Sequence, residues 1–323
     1  MTENKLELYE HQHLISLDLG TSEPLIEGLM LAHDKVMCVA RYKAGKSVWS
    51  QQLAQCVAGA HSFLGYRVPV ARPVLYIAGE GDLDEFQQRS RAMEPVLPVP
   101  KDMMYWWPFP EYPLNTDKGK ELLMKAAKEA QPGLMIFDPA YILMKGSLSD
   151  DEAVSEFIHN IGYVQGKMGC AVVIMHHTHR NIRTNTGQVV IEGDEAFHGS
   201  MLWKAWPTTV FLLTVRADKA RVLSCDTARR RVMLEKPVPL TMVEPYPLLY
   251  QWWQEGMTPT MAFVLNNLKL RDMTEAELIQ ASAYGGTIPN SHSSTWEATH
   301  RLEEEGLVKS EGRPAVYSVK EVS

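Results

Sequence analysis

Between Val36 and about Trp253 the chain alternates short, solid apolar runs with longer amphipathic stretches. The runs Val36–Ala40, Val74–Ala78, Met103–Trp107, Leu134–Phe137 and Ala171–Met175 have the length and composition of buried strands. Between them, Ser47–Ala60, Leu83–Met93, Lys118–Ala130 and Asp150–Met168 read as helices. Solidly apolar strands separated by helices predict an α/β fold with a parallel sheet covered on both faces. Thr209–Val215, Val222–Cys225 and Val232–Leu234 follow one another without helices, which predicts an antiparallel extension at one edge. Residues 1–35 are less regular and are expected to pack on this core as a lead-in.

The pattern changes at residues 254–258, taken as a linker between a large unit (36–253) and a small one (259–323). In the small unit Pro259–Leu268 reads as a helix. Thr274 with Glu277 three residues on forms a capping box that opens a helix to Ala283. A third helix, Ser293–Glu305, ends at Gly306, and strands Leu307–Ser310 and Ala315–Val319 flank the turn Glu311–Pro314. Three helices followed by a hairpin predict a winged-helix domain.

A chain of 323 residues, 45% apolar and 22% charged, has room for one large and one small core, and wholesale disorder is excluded. The net charge of −7 argues against a generally basic nucleic-acid coat, although a local basic groove suffices for DNA. Cys38, Cys56, Cys170 and Cys225 are scattered, with no metal-ligand spacing, as expected of buried thiols in a reducing compartment. The polar N-terminus lacks an apolar signal core, and no apolar run reaches about eighteen residues. A cytoplasmic protein without membrane contact is expected.

Specific chemistry enters at Ala40-Arg41-Tyr42-Lys43-Ala44-Gly45-Lys46-Ser47, followed by Val48: a P-loop placed between a strand and a helix. Backbone N–H groups of such a loop surround a β-phosphate, Lys46 neutralises the β- and γ-phosphates, and Ser47 holds Mg²⁺. Arg41-Tyr42-Lys43 is bulkier than such loops usually are. Leu134–Asp138 is an apolar strand ending in a carboxylate, a Walker-B pattern in which Asp138 orders Mg²⁺ through water. Glu80, just after Val74–Ala78, lies where a carboxylate faces the same crevice and can deprotonate an attacking water.

These residues, together with Arg89 and the run from Gly169 to Thr178 that contains His176 and His177, resemble the RepA-like branch of RecA-fold ATPases. That branch includes plasmid-encoded hexameric replicative helicases and is similar to the DnaB type. The resemblance spans roughly Val36 to Pro237. It implies ATP and Mg²⁺ as cofactors, Glu80 as catalytic base and Arg89 beside the nucleotide. It also implies a γ-phosphate sensor at His177, with His176 as its twin, and an arginine finger for a neighbouring subunit. Arg229 and Arg230, with Arg231, stand roughly where related helicases carry that finger, and they read equally well as a solvated turn. Where the family often shows Arg-Gly-Ser, this chain has His198-Gly199-Ser200.

The polar segment Thr178–His198, with Arg180 and Arg183, and the segment Asp138–Asp150, with Lys145, correspond to the loops that hold single-stranded DNA in RecA-like rings. Residues 257–323 carry six Lys/Arg against nine Asp/Glu, so the winged helix suits a protein partner, such as a replication initiator or primase, about as well as duplex DNA. The expected activity is that of an ATP-dependent helicase of a plasmid, phage or other mobile element, forming a ring expected to be hexameric. A RecA-like recombination mediator and a nucleotide-gated DNA-binding regulator are the alternatives.

Overall fold

The computed structural model describes residues 8–17, 23–177, 199–215, 221–228, 234, 238–242 and 248–250. In the C-terminal part it describes 261, 264–265, 268, 272–278, 292–304, 307–311 and 315–319. A short helix α1 (His11–Ser16) and a small hairpin, β1 (Pro24–Ile26) and β2 (Met30–Leu31), lead into β3 (Lys35–Ala40) and α2 (Lys46–Gly59). There follow β4 (Val74–Ala78), α3 (Leu83–Met93), β5 (Met104–Pro108), α4 (Asp117–Ala130), β6 (Leu134–Asp138) and α5 (Ala140–Leu143). Next come α6 (Asp151–Met168), β7 (Ala171–His177), α7 (Leu202–Ala205), β8 (Thr209–Val215) and β9 (Arg221–Ala228), and then β10 (Val238–Met242) and β11 (Leu248–Tyr250).

These strands form a nine-stranded sheet in the order β11-β10-β9-β8-β3-β7-β6-β4-β5. From β8 to β5 every pairing is parallel. From β8 outward to β11 every pairing is antiparallel. Alternation along each strand feeds two cores. Val74, Tyr76 and Ala78 of β4 join the layer under α2 and α3, whereas Leu75 and Ile77 join the layer under α4, α6 and α7. Fully burying a valine, leucine or isoleucine side chain contributes about 1.5–3 kcal/mol. The lead-in packs through Leu25, Ile26, Leu29 and Met30 against the α2 layer, while α1 is exposed. This is a RecA-like P-loop core with an antiparallel edge extension.

Two expectations are corrected. Thr209–Val215 (β8) pairs in parallel with β3 on one side and antiparallel with β9 on the other, so the antiparallel pairing begins only between β8 and β9. Leu234 is buried but lies outside any strand, and the outer strands are β10 and β11 instead. Residues 232 and 233 lie outside the described residues, as does the linker at 254–258.

Near the C-terminus, β12 (Met273–Thr274), β14 (Val316–Val319) and β13 (Val308–Glu311) form an antiparallel sheet beside α8 (His292–Glu304). A separate apolar cluster holds this part together. It includes Met261, Val264, Leu265, Leu278, Leu302 and Tyr317. The capping box forms: Thr274 N–H donates to Glu277 Oε2 at 2.8 Å, and Glu277 N–H donates to Thr274 Oγ1 at 3.3 Å. Among the described residues no helix is long and apolar enough to cross a membrane.

Candidate nucleotide site

The carboxyl ends of β3, β7, β6 and β4 are neighbours in the sheet, so the residues that follow them share one crevice. After β3 the chain turns through Lys43 (φ 61°) and Gly45 (φ 97°) before α2 begins. Gly45 takes this left-handed backbone without penalty directly ahead of the positive end of a fourteen-residue helix. Lys46 is buried. Its Nζ donates to the carbonyls of Ala40 (3.4 Å) and Arg41 (3.2 Å) and lies 3.2 Å from His177 Nδ1. Burial pushes the Lys46 pKa down, against the pull of Asp138, Cys38 and Glu80.

Asp138, at the end of β6, is 3% exposed. Its Oδ2 accepts from the Tyr76 hydroxyl at 2.6 Å and from Ser50 Oγ at 3.3 Å. Oδ1 is buried without a well-formed hydrogen bond, a position suited to a cation's water shell. Desolvation raises the Asp138 pKa, opposed by the hydroxyls of Tyr76 and Ser47 and by Lys46. Because the folded chain holds this proton more tightly than the unfolded one, ionised Asp138 opposes folding above the ordinary carboxylate range. The cost is relieved as pH falls through the raised folded pKa. Asp138→Asn keeps an acceptor for Tyr76 and removes the charge. The ligand-free variant is therefore expected to melt higher at neutral pH, by about 2–4 °C per kcal/mol relieved. The gain is expected to shrink in mild acid. Thermal melts at the two pH values check this, and a variant that melts lower at neutral pH contradicts it.

Glu80 follows β4. Gly79 N–H donates to the Asp138 carbonyl at 2.8 Å, tying the ends of β4 and β6 together. The Tyr141 hydroxyl donates to Glu80 Oε2 at 2.7 Å. The two histidines separate by strand alternation. His177 faces Lys46, with its ring 5.1 Å from that of Tyr141, whereas His176 is buried on the opposite layer, 4.9 Å from the Trp203 ring. His176 is thus placed away from the phosphate side of the crevice.

A cleft of about 500 Å³ opens over these groups, lined by Tyr42, Lys43, Gly45 to Val48, Glu80, Gly81, Glu85, Phe86, Arg89 and Arg221. Arg89 pairs with Glu85 on α3. Tyr42 is largely exposed at the loop's tip, and Ala44 is buried with its carbonyl turned to Arg221. Lys145 is exposed outside this lining, its backbone clamped by Asn115 through two 2.8 Å hydrogen bonds. Arg180, Arg183, Arg229 and Arg230 lie outside the described residues.

Sequence reasoning missed several residues. Tyr76 and Ser50 hold Asp138; Tyr76 reads as one more strand hydrophobe, although alternation puts it on the same face as the P-loop helix. Tyr141 and Arg221 carry no local signal. Arg221 opens β9 and donates from Nε to the Ala44 carbonyl at 3.1 Å, a contact that crosses 177 positions of sequence.

The cleft suits a nucleoside triphosphate in size and charge: among the described residues Lys43, Lys46, Arg89 and Arg221 face only the carboxylates of Glu80 and Glu85 along its lining. One carboxylate and one hydroxyl, Asp138 and Ser47, are donors of the hard oxygen type that suits a magnesium ion. The sequence matches the AAA domain family over residues 14–181, more than half of the chain. No match is found among curated proteins. Among solved structures the chain is similar to a KaiC-like protein from the hyperthermophilic archaeon Pyrococcus horikoshii OT3. The identity is 13% and the TM-score 0.47, over 68% of this chain and 89% of that one. With a family match that spans the P-loop, Glu80 and Asp138, the chain belongs to the AAA domain family.

Proposed function

We propose that this ATPase is a DNA-acting motor, a ring-forming replicative helicase of a plasmid, phage or other mobile element. The observation that carries the motor reading is the meeting of Lys46 and Glu80 in the lining of one cleft, with Asp138 and His177 at the ends of the neighbouring strands β6 and β7. There Lys46 takes up phosphate charge, and Glu80 accepts the proton of an attacking water. Ser47 and Asp138 hold the metal. Mg²⁺, when bound, screens the phosphates and stabilises the charge that develops on them. On this reading His177, in contact with Lys46 and followed in sequence by residues 178–198, reports the γ-phosphate to a DNA-binding segment.

Arg180 and Arg183, with Lys145, supply the cations for sequence-blind single-strand binding, and Arg229 and Arg230 supply a finger to the next subunit of a ring, expected to be hexameric. The C-terminal unit is read as a winged helix that docks DNA or a replication partner. The decisive experiment joins three readouts on the full chain: particle size with and without nucleotide, ATPase stimulation by single-stranded DNA, and strand displacement. Nucleotide-dependent assembly with DNA-stimulated turnover and unwinding supports the helicase. Stimulation without unwinding moves the reading to a recombination mediator, and ATP turnover indifferent to DNA overturns the motor on DNA. In the double variant Arg180→Ala, Arg183→Ala, single-strand affinity is expected to fall. The dependence of log K on log salt should flatten by about 0.7 for each phosphate that the variant no longer neutralises. Unchanged affinity and slope remove this segment from the DNA site.

A further inference from the structure

We infer that Tyr141 is the positioning residue of the ATPase, holding Glu80 in the orientation from which it takes the proton of the attacking water. This rests on the reading of Glu80 as the general base. Glu80 stands on a loop, where a free carboxylate spreads over several rotamers, and its side chain reaches the α5 segment through one hydrogen bond, from Tyr141 Oη to Oε2 at 2.7 Å.

The backbone makes that bond possible. Gly79 lets α5 approach the end of β4 so closely that a Cβ there would sit 2.9 Å from Ile142. Gly79 N–H is also bonded to the Asp138 carbonyl, so Tyr141, three residues after Asp138, is held at a fixed distance from Glu80. The Tyr141 ring meets His177 edge-on at 5.1 Å, and His177 in turn lies 3.2 Å from Lys46 Nζ. A continuous line of contacts, Glu80–Tyr141–His177–Lys46, therefore links the proposed base to the phosphate-binding lysine through the ends of β4, β6, β7 and β3.

The chemistry needs a donor that keeps its proton. Burial, the hydrogen bond to Glu80 and the Glu80 charge push the Tyr141 phenol up to about 12, so it donates throughout the neutral range. With Oε2 occupied, Oε1 is left to act. Glu80 accepts one proton from water as the water oxygen bonds to the γ-phosphorus, and the bridging oxygen departs with the electrons of the broken bond. Tyr141 itself gains and loses nothing. It fixes direction, and for that reason its removal is expected in kcat and not in nucleotide affinity.

Tyr141→Phe keeps the ring against His177 and deletes only the hydroxyl at a partly exposed position, so the fold is retained. Steady-state ATPase assays on the full chain are expected to show kcat lowered about tenfold, the scale of one hydrogen bond to a charged group. KM and the Kd of a fluorescent ATP analogue are expected to stay within about twofold, as for an interaction used only in the transition state. In a Glu80→Gln background the same substitution is expected to add no further loss, because the two residues act as one unit. A merely structural role for Tyr141 would lower kcat by the same factor in both backgrounds. That result, or a kcat for Tyr141→Phe equal to wild type, overturns the inference while leaving the ATPase reading intact. Failure of the wild-type protein to bind the analogue, or full turnover by Glu80→Gln, overturns the reading beneath it as well.

Discussion

Lys46→Ala is expected to abolish ATP hydrolysis and to weaken nucleotide binding by about ten- to a hundredfold, the range of one charge-assisted hydrogen bond removed from a phosphate. Lys46 Nζ is held by the carbonyls of Ala40 and Arg41 and by His177, so its ammonium already sits at the base of the loop that would wrap the phosphates. Stability is expected to change little. The lowered pKa means that the protonated side chain opposes folding at neutral pH, and alanine removes that cost together with the hydrogen bonds that offset it. Phosphate release, analogue binding and a thermal melt on the same preparation separate the two effects. A well-folded variant that still turns over ATP ends the assignment of the site.

The scaffold was largely legible because β4 and β6 are buried on both faces while α3 and α4 keep a polar face, although α2 is buried almost all round. Val74–Ala78, Thr209–Val215 and Leu83–Met93 have the boundaries that their apolar patterns predict, and the other helices of the sheet layer differ by a residue or so at each end. What was not legible is contact across the sequence. The parallel pairing of β8 with β3 joins strands far apart in the chain, which periodicity does not encode. The P-loop stands out in the sequence because it sets particular residues at short spacing, and the apolar strand ending in Asp138 gains weight only beside it. Their supports do not stand out. Tyr76 looks like core until its hydroxyl is seen on Asp138, and Tyr141 and Arg221 act through partners 61 and 177 positions away. His176 and His177 are equivalent as letters, and only the pleat assigns one to Lys46 and the other to Trp203.

Glu80→Gln is expected to lower kcat by about 10²–10⁴-fold, the contribution typical of a positioned general base. Nucleotide binding is expected to be retained or tightened. Glutamine keeps the shape and an acceptor for the Tyr141 hydroxyl, so the geometry survives while the capacity to take a proton is lost. It also deletes a negative charge that acts on Lys46, which favours an anionic ligand in the same cleft. The variant is therefore expected to accumulate with ATP uncleaved, and light scattering on that species reads the nucleotide-dependent assembly without the complication of turnover. Only one other carboxylate, Glu85, lines the cleft among the described residues, and its Oε1 is engaged by Arg89. An ion-paired oxygen is the poorer proton acceptor, so Glu85→Gln is expected to leave kcat much closer to wild type than Glu80→Gln does. If the order is reversed, the base is on α3, and both Glu80 and the tyrosine that holds it lose their roles.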